Sequence, residues 1–261
     1  MELVNPLVFG SAIAIAIFAG VLVSLRGGRM LGERAISRHG SIGSTIGSLE
    51  AAVFALLGLL IAFTFSGALQ RFDSRRVQVV QEANSIGTAW SYLDLVPASA
   101  RPKLRATFRA YVDARIATYR VLPDIEGARS ALVLSKELQG DIWEQAVAAT
   151  RQKDASPAVT IVLMPQLQDM FSVATARVAA TQIHPPGVIY AMLIALSLVA
   201  GLLAGYQSAG DKGYAWIHKI AFATIVALTV YVILDIEYPR LGFIRLDAID
   251  HLLVDVRAGM K

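Results

Sequence analysis

Three carboxylates sit where an apolar run meets polar sequence. Glu50 opens one such run, and Asp235 and Glu237 close another. A charge at the edge of a bilayer is expensive to bury, so it binds ions, lines a charged vestibule, or pairs with an arginine. Asp235 and Glu237 are therefore vestibule or ion-binding candidates. The alternative is an interfacial carboxylate, solvated or paired, with Arg38 and Arg240 as candidate partners. From Glu50 the residues Phe54, Leu57, Ile61, Thr64 and Ala68 follow at spacings of 3 and 4, so the six share one helical face. An apolar face with an occasional hydroxyl suits a pore that gates by dewetting. These six are the pore-lining candidates. Tight helix packing, helped by Gly58 and by Gly43 and Gly47 before the run, uses the same spacing.

Beyond the apolar runs, the sharpest polar element is "EAN", where Glu82 and Asn84 flank an apolar seam position. They predict an inter-helix or subunit contact that satisfies buried polar groups, with ligand or ion binding as the alternative. Near the C-terminus, Asp247, Asp250, His251 and Asp255 fall near one helical face, opposite Leu246, Ile249, Leu252, Leu253 and Val256. Three carboxylates can gather calcium, but an amphipathic helix lying on a membrane or a bundle gives the same pattern. Lys103, Arg105, Arg109, Arg115 and Arg120 predict a solvated basic face, or a surface that concentrates anions. Glycine-rich phosphate loops, nucleophile elbows and paired-histidine metal motifs are all missing. His39, His184, His218 and His251 lie in four different segments. The expectation is no enzyme, no cofactor and no metal site.

The elements that must position these groups follow from composition. Of 261 residues, 55% are hydrophobic and only 17% are charged, against about 25% charged in soluble domains. That deficit points to a membrane protein. With no cysteine, disulfides and thiolate metal ligation are excluded. The net charge of +4 is spread among apolar runs, which argues against a nucleic-acid partner. Four runs are long or well-flanked enough to cross a bilayer, 7–25, 51–69, 187–206 and 220–234. The last is short, but Tyr214, Trp216, Lys219 and Tyr238 can anchor its ends. The first run lacks the positive residues that precede a signal peptide's apolar stretch, which predicts a retained span. Arg26, Arg29, Arg34 and Arg38 follow the first run, and Lys212 and Lys219 follow the third. Short basic loops stay in the cytoplasm, which places the long middle segment on the opposite, periplasmic side of an inner membrane.

That middle segment reads as helical. Val79, Ala83, Ile86, Trp90 and Leu93 form a packed seam, and no proline falls between Gly47 and Leu95. One helix of about 70 Å is expected, with the membrane edge near Gln70 to Asp73. A second helix opens at Arg101–Pro102, with Leu104, Phe108, Tyr111, Ile116 and Tyr119 on its buried side. A third covers about 124–151, with Leu134, Leu138 and Ile142 aligned. A fourth starts at Ser156–Pro157, with a kink at Pro165. The expected organisation is an all-α membrane protein. Residues 1–70 hold two spans and a basic loop at 26–48, and 71–184 form an extramembrane helical domain. Residues 185–238 hold two more spans, and 239–261 form an amphipathic tail.

The stretch "LEAAVFALLGLLIAFTFSGALQRFDSRRVQVVQEANSIGTA", then "YLDLVP", "YVDAR" and "LDIEYPRLGFIRLD", resembles the bacterial membrane-protein family labelled bestrophin-like. The order of elements is similar too. Bestrophins are oligomeric anion channels whose large helical region is cytosolic, whereas the arginines here place that region outside. The resemblance implies a homo-oligomer in the lipid bilayer that conducts inorganic ions, anions by kinship, through a pore lined by the second span. The alternative is a non-conducting scaffold or sensor whose helical domain binds a partner.

Overall fold

A computed structural model describes residues 6–39, 45–210, 216–239 and 243–261. Among them are eight α-helices and no strand: α1 (Pro6–His39), α2 (Thr45–Tyr92), α3 (Arg101–Arg120), α4 (Ile125–Thr150), α5 (Met164–Ala180), α6 (Gly187–Gln207), α7 (Trp216–Glu237) and α8 (Asp247–Ala258). Four of them, α1, α2, α6 and α7, are long and apolar enough to cross a membrane. The chain divides into a membrane unit, Met1–Phe72 with His184–Ile244, and a helical unit, Asp73–Ile183 with Arg245–Lys261. Gly43, Lys212, Tyr214 and Arg240 of the sequence reading lie outside the described residues, as does the side chain of Asp247.

In the membrane unit, α1 continues to His39 instead of ending at Leu25, so Arg26, Arg29, Arg34 and Arg38 ride on helix and not on a loop. Arginine is a good helix former and no proline interrupts 26–39. Helix α7 likewise runs 22 residues, well past the apolar stretch that marks it in sequence. Ile17, Val21, Leu25, Leu193, Ala200, Ala223, Val226 and Ile233 fill the shared core. The closest approach is between α1 and α6. A Cβ on Gly28 would lie 1.9 Å from the carbonyl oxygen of Leu202, and one on Gly205 would lie 2.0 Å from that of Leu25. A Cβ on Gly32 would meet the carbonyl of Tyr206 at 2.5 Å. In lipid, where burial between helices gains nothing from water, such backbone contact is what holds helices together.

The helical unit packs the second half of α2, α3, α4, α5 and α8 around Ile86, Leu93, Phe108, Tyr111, Ile142, Leu163 and Met170. Local signals set the ends. Asp124 caps α4 by accepting from the Gly127 amide at 3.0 Å. The Ser156 hydroxyl accepts from the Ala158 amide at 3.3 Å. Pro165 has no amide to offer the preceding turn, and the backbone before α5 widens to a π-helical stretch, Val159–Leu163. The tail helix α8 inserts Leu253 into this core, joined by Met260 just beyond it. Two expectations need correction. Leu134 is exposed, while Arg115, counted with the solvated basic residues, is 1% exposed.

Adjacent glycines on α1 give a direct test of the α1–α6 contact. Gly27 faces open space, so Gly27→Ala should leave melting in detergent unchanged or slightly raised. Gly28→Ala must push the two backbones apart and should lower Tm by about 5 °C or more.

Candidate functional site

Among the described residues, two buried charge centres organise the polar chemistry, one in each unit. In the membrane unit, Glu237 at the end of α7 is fully buried. Arg71 donates to it from Nε and Nη2, at 2.9 and 2.7 Å to Oε2. His184, just before α6, places Nδ1 3.0 Å from Oε1. Its ring stacks on Tyr238, with centroids 4.6 Å apart. One carboxylate thus ties α2, the lead into α6 and the end of α7. Asp235, two residues earlier, accepts from the amides of Phe243 and Ile244 at 3.0 and 2.9 Å. It fixes the chain just past the fourth span.

In the helical unit, Glu82 on α2 is completely buried between two arginines. Arg115 of α3 donates from Nε to Oε1, and Arg177 of α5 from Nη1 to Oε2, both at 2.6 Å. Arg115 also donates from Nη2 to the Tyr119 hydroxyl at 3.2 Å. The Arg177 guanidinium lies 3.7 Å from the centroid of the Tyr119 ring. Its Nη2 reaches Asp250 of α8 at 2.6 Å. Arg257 of α8 returns a pair to Asp113 of α3, at 2.8 and 2.9 Å. Burial pushes the Glu82 carboxyl toward the neutral form, but the charges and hydrogen bonds of Arg115 and Arg177 outweigh it and hold the pKa below the usual range. Burial opposes protonation of Arg115, and the Glu82 charge overrides it. Tyr111 is held up by burial and stays a neutral phenol.

The predicted residues are placed as follows. Glu82 is an inter-helix contact, while Asn84 is exposed on α2. Asp235 and Glu237 have their oxygens engaged by protein donors, Glu237 by Arg71 among them. On the pore-lining face, Leu57 and Ala68 are buried in the membrane unit's own core, and Phe54 and Ile61 pack against it. Phe54 meets Phe222 of α7 edge-on at 5.4 Å. Thr64 bonds back to the carbonyl of Leu60 at 2.7 Å, and Glu50 is half-buried. A spacing of 3 and 4 marks a face but not what covers it, and within one chain Leu57 and Ala68 of this face meet the chain's own helices. Of the tail residues, His251 and Asp255 are exposed, and Asp250 serves an arginine. Sequence reasoning missed Arg115, Arg177 and Arg71. The signal available was the buried phase of α3, since Arg115 stands seven residues after Phe108.

Breaking a buried pair from one side costs roughly 3–5 kcal/mol, because the partner is left charged and dry. Glu82→Gln should therefore lower Tm strongly. A double-mutant cycle with Arg115→Met should show the second change costing much less than it does alone. The depressed pKa fixes the sign of the pH effect. The Glu82 contribution is fully present above the ordinary glutamate value and is lost only as pH falls through the lower folded-state value. The Tm gap between wild type and Glu82→Gln should stay constant from neutral pH down to the ordinary glutamate range, then shrink below it.

Comparisons with known proteins place this architecture. Among functionally curated proteins, none matches the sequence. The fold is similar to that of a bacterial bestrophin homologue from Klebsiella pneumoniae, crystallised as a point variant. The TM-score is 0.66 at 14% identity, over 94% of this chain and 98% of that one. The profile of the Bestrophin-like domain matches residues 12–248. A match over nearly the whole chain, with four membrane-length helices and an all-α fold behind it, makes this a multi-pass membrane protein that belongs to the bestrophin-like family.

Proposed function

We propose that the protein is an ion channel assembled from several copies, with the membrane half of α2 lining a shared pore. The observation that carries the reading is a face of α2 that no described residue of its own unit covers. Ala52, Ala55, Leu59, Ala62 and Ser66 are all exposed. They recur at spacings of 3 and 4, about half a turn round from buried Leu57 and Ala68. Small side chains and a hydroxyl, with Leu59 as the one wide group, suit a narrow lining better than a lipid contact. Few charges lie within the spans, so a pore shared between subunits asks less of each chain than a self-contained transport path. Anion conduction is the family's analogy. In this reading Arg71, Glu237 and His184 are framework, and the face containing Phe54, Leu57 and Ile61 holds α2 in place.

Liposome flux of chloride against potassium, compared with empty vesicles, tests this. Leu59→Ala should change rate or selectivity several-fold, whereas Leu57→Ala should lower stability and leave selectivity alone. Absence of flux from folded, oligomeric protein would move the reading to a scaffold whose helical unit binds a partner. Flux indifferent to Leu59 and Ser66 would move the pore off α2.

We further infer an inner-membrane location with the helical unit on the periplasmic side, from the arginines on the outgoing half of α1. The chain has no cysteine, so single introduced ones report cleanly. Lys103→Cys should react with an impermeant maleimide in intact spheroplasts and Arg34→Cys should not; the reverse pattern inverts the topology.

A further inference from the structure

The charge balance of the Glu82 centre identifies a binding site. Glu82 contributes −1, and Arg115 and Arg177 contribute +1 each, so those three groups carry a net +1 in a dry interior. Two cations sharing one carboxylate at this burial need a second anion. The anion present is Asp250, which reaches Arg177 from α8. Its placement differs from that of the others. The side chains of Glu82, Arg115 and Arg177 are at most 3% exposed, whereas that of Asp250 is 20% exposed. It is the outermost member and sits where water reaches. The arginine beneath is fixed before any anion arrives. Glu82 holds one amino group of Arg177 at 2.6 Å, and the Tyr119 ring supports its face at 3.7 Å. The remaining amino group is aimed outward at Asp250.

We propose that Arg177, oriented by Glu82 and Tyr119 and backed by Arg115, is a carboxylate-binding socket that Asp250 of the chain's own C-terminal helix fills. Its ligand class is a compact carboxylate. The attached tail wins by effective concentration, so added anions do not enter the intact protein. The inference stands apart from conduction, because the socket lies wholly within the helical unit. Other contacts keep α8 seated when the carboxylate alone is removed. Leu253 stays in the core, and Arg257 stays paired with Asp113.

The test is rescue by formate, which matches the carboxylate that Asp250→Ala deletes. Thermal melting of the full chain in detergent is followed in chloride and in formate at equal ionic strength. In chloride, Asp250→Ala should melt about 5 °C or more below wild type. Formate should restore at least half of that loss, and saturably. Asp250→Asn also loses the charge but leaves no room, so formate should not rescue it. Asp113→Ala, which breaks the other α8 pair, should respond no more than wild type. Adding Arg177→Met to Asp250→Ala should abolish the response. An Asp250→Ala protein that folds only in formate supports the socket. A wild-type melting point in chloride, a formate response equal to that of Asp113→Ala, or failure to fold in both salts overturns it.

Discussion

A single carboxylate shared between two buried arginines constrains the helical unit. Glu82 has its two oxygens taken by Arg115 and Arg177, which brings α2, α3 and α5 to one point. Desolvating three charged groups costs several kcal/mol each, and the ion pairs repay it only when donors and acceptors are placed closely. The centre's net contribution to stability is therefore smaller than the cost of breaking it from one side. A bundle of apolar faces can slide by a turn at modest cost, but not while an arginine must end on Glu82. The same requirement explains why α8 belongs to the bundle and does not lie apart as a tail, because Asp250 completes the charge balance.

The membrane unit applies the same logic with different means. Its helices gain nothing from excluding water from one another, so α1 and α6 approach until Gly28 and Gly205 leave no space for a side chain. Where polar groups are unavoidable, at the ends of spans, they are used up locally. Glu237 takes Arg71 and His184, and Asp235 takes two backbone amides. Carboxylates engaged in this way tie the middle of α2 to the lead into α6 and the end of α7. On the opposite side of α2, Ala55, Leu59, Ala62 and Ser66 stand exposed among the described residues.

Much of the fold was legible in the sequence because it rests on periodic patterns and local chemistry. Four apolar runs, the uninterrupted stretch from Gly47 to Leu95, the seam at Val79, Ile86 and Leu93, and the prolines at 102 and 157 each state a helix or its start. Asp124 caps its own helix from three residues away. The family resemblance was legible for the same reason, since it lies in contiguous motifs. Arg109 and Arg115 read alike in sequence, six residues apart on one basic helix. Only one of them has a buried carboxylate to meet, and that carboxylate belongs to a different helix.

The amino-acid sequence by itself determined that this chain is helical, that it crosses a membrane, and which residues share a face. Those properties come from hydropathy, spacing and backbone preference, all summed over neighbours. Only the tertiary structure decided which face of α2 is covered, that Arg71 pairs with Glu237, and that Asp250 serves an arginine. Arg71 and Glu237 stand 166 residues apart. A pairing over that distance depends on where whole helices come to rest, and no local rule in the chain specifies it.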